Sequence, residues 1–166
     1  MQAKSKYSQL TLSGIFIALF LVVMLCTQSF AFGQYQVRIA TALYGLSALF
    51  PFLIIPSCIA NLLSNTIMGG LGIMDIVGGG LVGLLTSSLI VFAKKQGCGN
   101  WIVFVAVTFV PGLCVPIWLS ALLNIPYWVL ASSLLVGQAI SGFASYMLVS
   151  ALEKIGVGSS VIMKSL

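Results

Sequence analysis

Residues 39–68 read IATALYGLSALFPFLIIPSCIANLLSNTIM, thirty positions that hold two prolines and no charge. Whether this stretch is one membrane span or a hairpin of two decides the fold. Charge placement settles the choice, because cytoplasmic loops of membrane proteins collect Lys and Arg. Read as two spans, 39–55 and 57–68, it gives six spans in all, and Lys4, Lys6, Lys94, Lys95, Lys154 and Lys164 then share one face. Only Arg38 is left opposite. Read as one span, it moves Lys94 and Lys95 to the face opposite Lys4 and Lys6. The sequence therefore predicts six spans with both termini in the cytoplasm.

The wider composition requires a membrane. Of 166 residues, 60% are hydrophobic and 5% charged, with seven Lys or Arg, two acidic residues and no His. Soluble domains run at about 25% charged, and a chain this short leaves much of its surface wet. A soluble domain is excluded. An anchored soluble head is excluded too, since no polar stretch is long enough to fold alone. Six helices of about 20 residues each cross the hydrocarbon core and leave enough chain for turns. A transmembrane barrel needs alternating polarity, which the continuous apolar run from Leu113 to Leu123 lacks. The fold class is an all-α integral membrane protein, a compact six-helix bundle forming a single domain over 1–166. Its spans are about 10–27, 39–55, 57–68, 76–93, 101–123 and 127–152.

Lys4 and Lys6 followed by an apolar run also resemble the start of a signal peptide. No small-x-small cleavage site follows that run, and Met24-Leu25 does not suit a lipoprotein site before Cys26. It reads as a retained first span. The +5 net charge orients the bundle and needs no nucleic acid partner. Cys26, Cys58, Cys98 and Cys114 show no CxxC pairing and read as small buried hydrophobes.

The residues offer little to an enzyme. There is no His for acid–base work and no close pair of carboxylates, and without His no metal site is credible. A phosphate loop needs Gly-Lys followed by Ser or Thr, and the chain has no Gly-Lys dipeptide. No cofactor is called for. If transport consumes ATP, another subunit hydrolyses it.

Two charges stand out. Arg38 begins the second span and Asp75 begins the fourth, so the topology puts both on the outer face. A charge at the membrane boundary is costly and usually pairs or serves a pathway; the plainer reading is water exposure, with Asp75 capping its helix. Asn61, Gln138 and Thr41 are polar groups within spans, fit for interhelical hydrogen bonds or for a ligand. Trp118, Tyr127 and Trp128 surround the outer turn between the last two spans, as belt anchors or as a stacking surface. Glu153 beside Lys154 reads as a solvated cytoplasmic end. Gly14 and Ala18 form a small-xxx-small face on the first span, suited to internal packing or to a partner helix.

Several stretches resemble a known family. Gln36-Val37-Arg38-Ile39-Ala40-Thr41-Ala42-Leu43, Ala60-Asn61-Leu62-Leu63, Gly69-Gly70-Leu71-Gly72-Ile73-Met74-Asp75-Ile76-Val77 and the hairpin from Leu123-Asn124 to Val136-Gly137-Gln138 are similar to segments of the queuosine-precursor (QueT-like) family. Members are S components, the substrate-binding membrane subunits of energy-coupling-factor (ECF) transporters. The resemblance covers nearly the whole chain in order and spacing. It implies a multi-pass protein of a prokaryotic cell membrane that captures a queuosine-related 7-deazaguanine from outside. Loops 27–38 and 69–75 would act as a lid, and the subunit would topple on one scaffold membrane protein and two ATPases.

The resemblance also implies roles. Asp75 would accept the ring N–H and amino group of the base as a bidentate pair, with Arg38 orienting Asp75 or meeting a ligand carbonyl. Thr41, Asn61 and Gln138 would add hydrogen bonds, and Tyr35, Trp118 and Trp128 would cover the ring faces. Gly14 and Ala18 would dock the scaffold. Where the family carries acidic residues, this chain has Thr41 and Gln138, which argues against a preference for the aminomethyl precursor and for a neutral base, queuine or queuosine. Two other readings stay open: a stand-alone secondary transporter of another solute, and a non-transporting accessory subunit.

Overall fold

The computed structural model describes residues 2–31, 37–68 and 71–157. The chain forms α1 (Gln2–Cys26), the short α2 (Gln28–Ala31), two 3-10 segments (Ile39–Ala48 and Pro51–Leu53), α3 (Ile54–Ile67), α4 (Ile73–Lys95), α5 (Trp101–Leu123) and α6 (Tyr127–Lys154). Among the described residues there is no strand. Four helices are long and apolar enough to cross a membrane: Lys6–Cys26 of α1, α4, α5 and α6. The segments Ile39–Ala48 and Pro51–Ile67 are apolar but shorter.

The decisive stretch breaks one turn earlier than its sequence suggests. Pro51, not Pro56, marks the break. Phe50 holds φ −129°, ψ 84°, because a residue before proline is pushed out of the helical region. Pro56 is instead the third residue of α3, in the first turn, where a backbone N–H has no intrahelical partner to lose. The first arm is ten residues of 3-10 helix, about 20 Å at 2.0 Å per residue. The second arm, α3, has 14 residues and spans about 21 Å.

Side-chain contacts trace the path of these arms. Arg38 Nη1 donates to Asn65 Oδ1 at 3.4 Å, and Asn65 Nδ2 donates to the Asp75 carbonyl at 2.9 Å. The start of the first arm, the end of α3 and the start of α4 therefore lie together. Midway down, Ser47 Oγ reaches the Ser87 carbonyl at 3.4 Å. The chain thus goes in and comes back to the same end, with both arms shorter than the roughly 30 Å hydrocarbon core.

The opposite end is tied by a polar cluster. Lys94 Nζ donates to Asn100 Oδ1 at 2.7 Å and pairs with Glu153 Oε1 at 3.2 Å, while Asn100 Nδ2 donates to Glu153 Oε2 at 2.6 Å. Glu153, expected to be merely solvated, joins the ends of α4 and α6 to the residue before α5. The four cysteines are free; three are half-buried, and Cys26 is exposed rather than buried.

Serines of α6 fasten the 3-10 arm. Ser141 Oγ donates to the Arg38 carbonyl at 2.9 Å and Ser145 Oγ to the Ala42 carbonyl at 2.7 Å. Such short polar side chains bond across helices without keeping them apart. Gly45 allows the approach, since a Cβ there would meet Ser145 Oγ and, at 2.8 Å, Val103 Cγ1. Two apolar clusters complete the interior. One gathers Phe16, Phe20, Met24, Tyr44 and Leu49; the other holds Val82, Val115, Leu119, Leu130 and Leu134.

Candidate functional site

The polar candidates meet where the two apolar clusters join. Arg38, Thr41, Asn61 and Gln138 line one narrow cavity, together with Tyr44 and an apolar wall that includes Val82, Pro111 and Leu134. Its volume is about 10 Å³, room for about one water molecule. A bicyclic base therefore enters only if these side chains part.

The geometry of the 3-10 arm explains the convergence. At three residues per turn, positions three apart eclipse one another. Arg38, Thr41, Tyr44 and Ser47 therefore form one row, and all four are buried. An α-helix, at 3.6 residues per turn, would spread the same residues around its circumference.

Thr41 and Gln138 settle each other's orientation. Thr41 Oγ1 lies 2.6 Å from the Arg38 carbonyl and 2.9 Å from the Gln138 side-chain amide. A hydroxyl has one proton, and an oxygen–oxygen separation of 2.6 Å requires that proton between them. Thr41 thus donates to the carbonyl, and Gln138 must present its NH2 group to Thr41. Amide orientation is assigned from such networks. Gln138 is thereby held at the cavity wall.

Asn61 is anchored by its Nδ2, which donates to the Gly79 carbonyl at 2.6 Å. Glycine at 79 also leaves room for Asn65, since a Cβ there would run into the Asn65 side-chain nitrogen. Asn65, four residues on along the same face of α3, joins Arg38 to the start of α4 through the two bonds given above. Sequence reasoning passed over it, although an asparagine pair at i, i+4 beside Arg38 was a usable signal.

Asp75 lies beside the cavity rather than in its wall. It is 3% exposed, and its carboxylate accepts the Trp118 indole N–H at 3.1 Å and the Leu71 backbone N–H at 3.4 Å. Gly72, at φ +102°, makes the turn that brings Leu71 back over the helix start, a conformation suited to glycine. The Trp118 ring lies against Gly78, where a Cβ would come within 2.8 Å of it. Asp75 and Trp118 form a clasp between the start of α4 and the last turns of α5.

The remaining candidates lie elsewhere. Trp128 is 76% exposed and packs edge-on against Tyr127, at 5.0 Å between ring centres; it is not brought to the cavity. Tyr35 lies outside the described residues, as do residues 32–36 and 69–70 of the two expected lid loops. Gly14 and Ala18 lie on the exposed face of α1, opposite buried Phe16, Phe20 and Met24.

A family model described as QueT transporter matches residues 10–154, a stretch that contains every residue of this cavity. The chain belongs to the QueT transporter family. QueT membership makes it a membrane transporter of a small substrate, in keeping with its four long apolar helices. No curated protein and no solved structure matches the chain.

Proposed function

We propose that the chain is the substrate-capture subunit of an ATP-driven ECF importer in a prokaryotic cell membrane. It binds a queuosine-related 7-deazaguanine at the outer end of a bundle that crosses the bilayer six times with both termini in the cytoplasm. A scaffold membrane protein and two ATPases receive it through the Gly14–Ala18 face. Family membership supports transport. The observation that carries the ligand class is the cavity itself, where a guanidinium, two amides and a hydroxyl-bearing row meet between apolar walls. Small-ligand sites have this makeup, mostly apolar with a few placed polar groups.

The charge balance narrows the ligand. Arg38 is the charged residue of the cavity wall, and no carboxylate shares that wall. An aminomethyl cation would bring a second positive charge into a poorly solvated space, where like charges repel strongly. A neutral base avoids this, offering its carbonyl to Arg38. When the Asp75–Trp118 clasp opens, the Asp75 carboxylate takes the N–H and amino edge of the base, using lone pairs that Trp118 and Leu71 leave free.

Thermal unfolding of the purified protein in detergent tests this. Queuine and 7-cyano-7-deazaguanine are expected to raise the melting temperature, since a ligand at 100 times its Kd adds about 2.7 kcal/mol. The cyano base, which is neutral, is expected to give the largest rise, and queuine and the 7-aminomethyl analogue, both of which carry an amine on the 7-substituent, smaller ones at the same concentration. Stabilisation by an unrelated vitamin and by none of these bases would overturn the proposal.

A further inference from the structure

Tyr44 was not among the residues that the sequence pattern marked for binding. Its side chain is 0% exposed, and its hydroxyl has no hydrogen-bond partner within the protein among the described residues. Asn61 is the polar side chain beside it and acts on the phenol, but its Nδ2 is drawn to the Gly79 carbonyl at 2.6 Å and no hydrogen bond of good geometry joins it to the Tyr44 hydroxyl. A buried hydroxyl without a partner is costly and uncommon, so its presence calls for a physical reason.

Position supplies one. Tyr44 belongs to the cavity wall and lies in the same row as Arg38 and Thr41. The ring is held from behind, stacked on Phe20 of α1 with 5.6 Å between centroids and 19° between planes. On the far side stands Gly83, whose absent Cβ would approach the hydroxyl to 3.2 Å and the Ser57 carbonyl to 2.9 Å. The tyrosine is thus fixed by packing while its polar end is left unsatisfied. A group that can both donate and accept stands ready for a partner that is not part of the protein.

We infer that Tyr44 is a direct ligand contact, its hydroxyl bonding the ring edge of the captured base beside the Arg38 guanidinium and the Gln138 side-chain amide. This rests on the ligand class proposed above. Binding exchanges an unsatisfied hydroxyl for a satisfied one, so part of the affinity comes from relieving a defect built into the empty site. The row spacing also gives the arm a purpose: 3-10 geometry sets Tyr44 directly below Arg38 and Thr41.

The test compares Tyr44→Phe with the unaltered protein, using queuine and 7-cyano-7-deazaguanine as probes in thermal-shift and calorimetric titrations. Phenylalanine keeps the ring and its Phe20 stack. The unliganded variant should melt at the same temperature or higher, because it loses only an unpartnered hydroxyl. Its affinity for the base that stabilises the parent protein should fall about tenfold, the size of one well-made hydrogen bond. Equal affinities would overturn the role of Tyr44 and leave the ligand class standing. A lower melting temperature of the unliganded variant would also overturn it, by showing that the hydroxyl serves the fold. If neither base stabilises the parent protein, the ligand class falls and the Tyr44 contact falls with it.

Discussion

Asp75→Asn is expected to lower the melting temperature in detergent and to weaken ligand binding by tenfold or more. The carboxylate serves two donors at once, the Trp118 indole N–H and the Leu71 backbone N–H, one on each oxygen. An asparagine has one oxygen, so one of those donors must face its NH2 group. A buried donor left without an acceptor costs about 1–3 kcal/mol. The substitution also removes the negative charge that acts on the buried Arg38 guanidinium. Asn65 stands between the two groups, so the lost hydrogen bond dominates and a loss of about 1–3 kcal/mol is expected.

Trp118→Phe separates the two contributions. It keeps an aromatic ring and the negative charge near Arg38, and removes the indole donor together with the part of the ring that lies against Gly78. Its effect on stability should be less than half that of Asp75→Asn. Chemical or thermal unfolding of both variants with and without queuine gives the comparison. Unchanged stability and affinity in Asp75→Asn would reduce Asp75 to an incidental contact at a helix start.

The long elements were legible because their cause is local. An apolar run ended by Lys94 and Lys95, or closed by Asn124-Ile125-Pro126, can be read without a partner in view. Arg38, Thr41, Asn61 and Gln138 stood out singly as polar groups in an apolar chain, but only the family resemblance grouped them, and their shared cavity needs the folded structure. The break at Pro51 was less legible. Both prolines could end a helix, and the choice depends on whether Pro56 falls within the first turn of the next one. The 3-10 geometry of Ile39–Ala48 was hidden for a similar reason. It is fastened by Ser141 and Ser145 of α6 and by the close approach at Gly45, about a hundred residues away in the chain. Tyr44 was invisible while the arm was imagined as an α-helix, because only a threefold repeat puts it in line with Arg38 and Thr41.

Gly14→Leu is expected to abolish uptake in cells that supply the ATPase module while leaving the protein folded and able to bind its ligand. Its position on α1 explains both halves. The inward face of that helix is closed by Phe16, Phe20 and Met24, whereas Ile15, Leu19 and Val22 are exposed. A Cβ added at Gly14 meets nothing within 4 Å, so the leucine has room within the subunit. It even gains about 1 kcal/mol of helix propensity over glycine. What it obstructs is the close approach of another helix, which small residues permit and large ones prevent. Gly142→Leu provides the contrast. A Cβ there would meet Thr108 Oγ1 and, at 2.9 Å, the Phe104 backbone carbonyl, so α5 and α6 must separate. Overpacking of that kind costs about 1–3 kcal/mol or more, and this variant should lose stability and binding together. Melting temperature and queuine titration separate the two variants, while cellular uptake should fall in both. Persisting uptake in Gly14→Leu would remove the docking role from that face, and the scaffold would have to engage another side of the bundle.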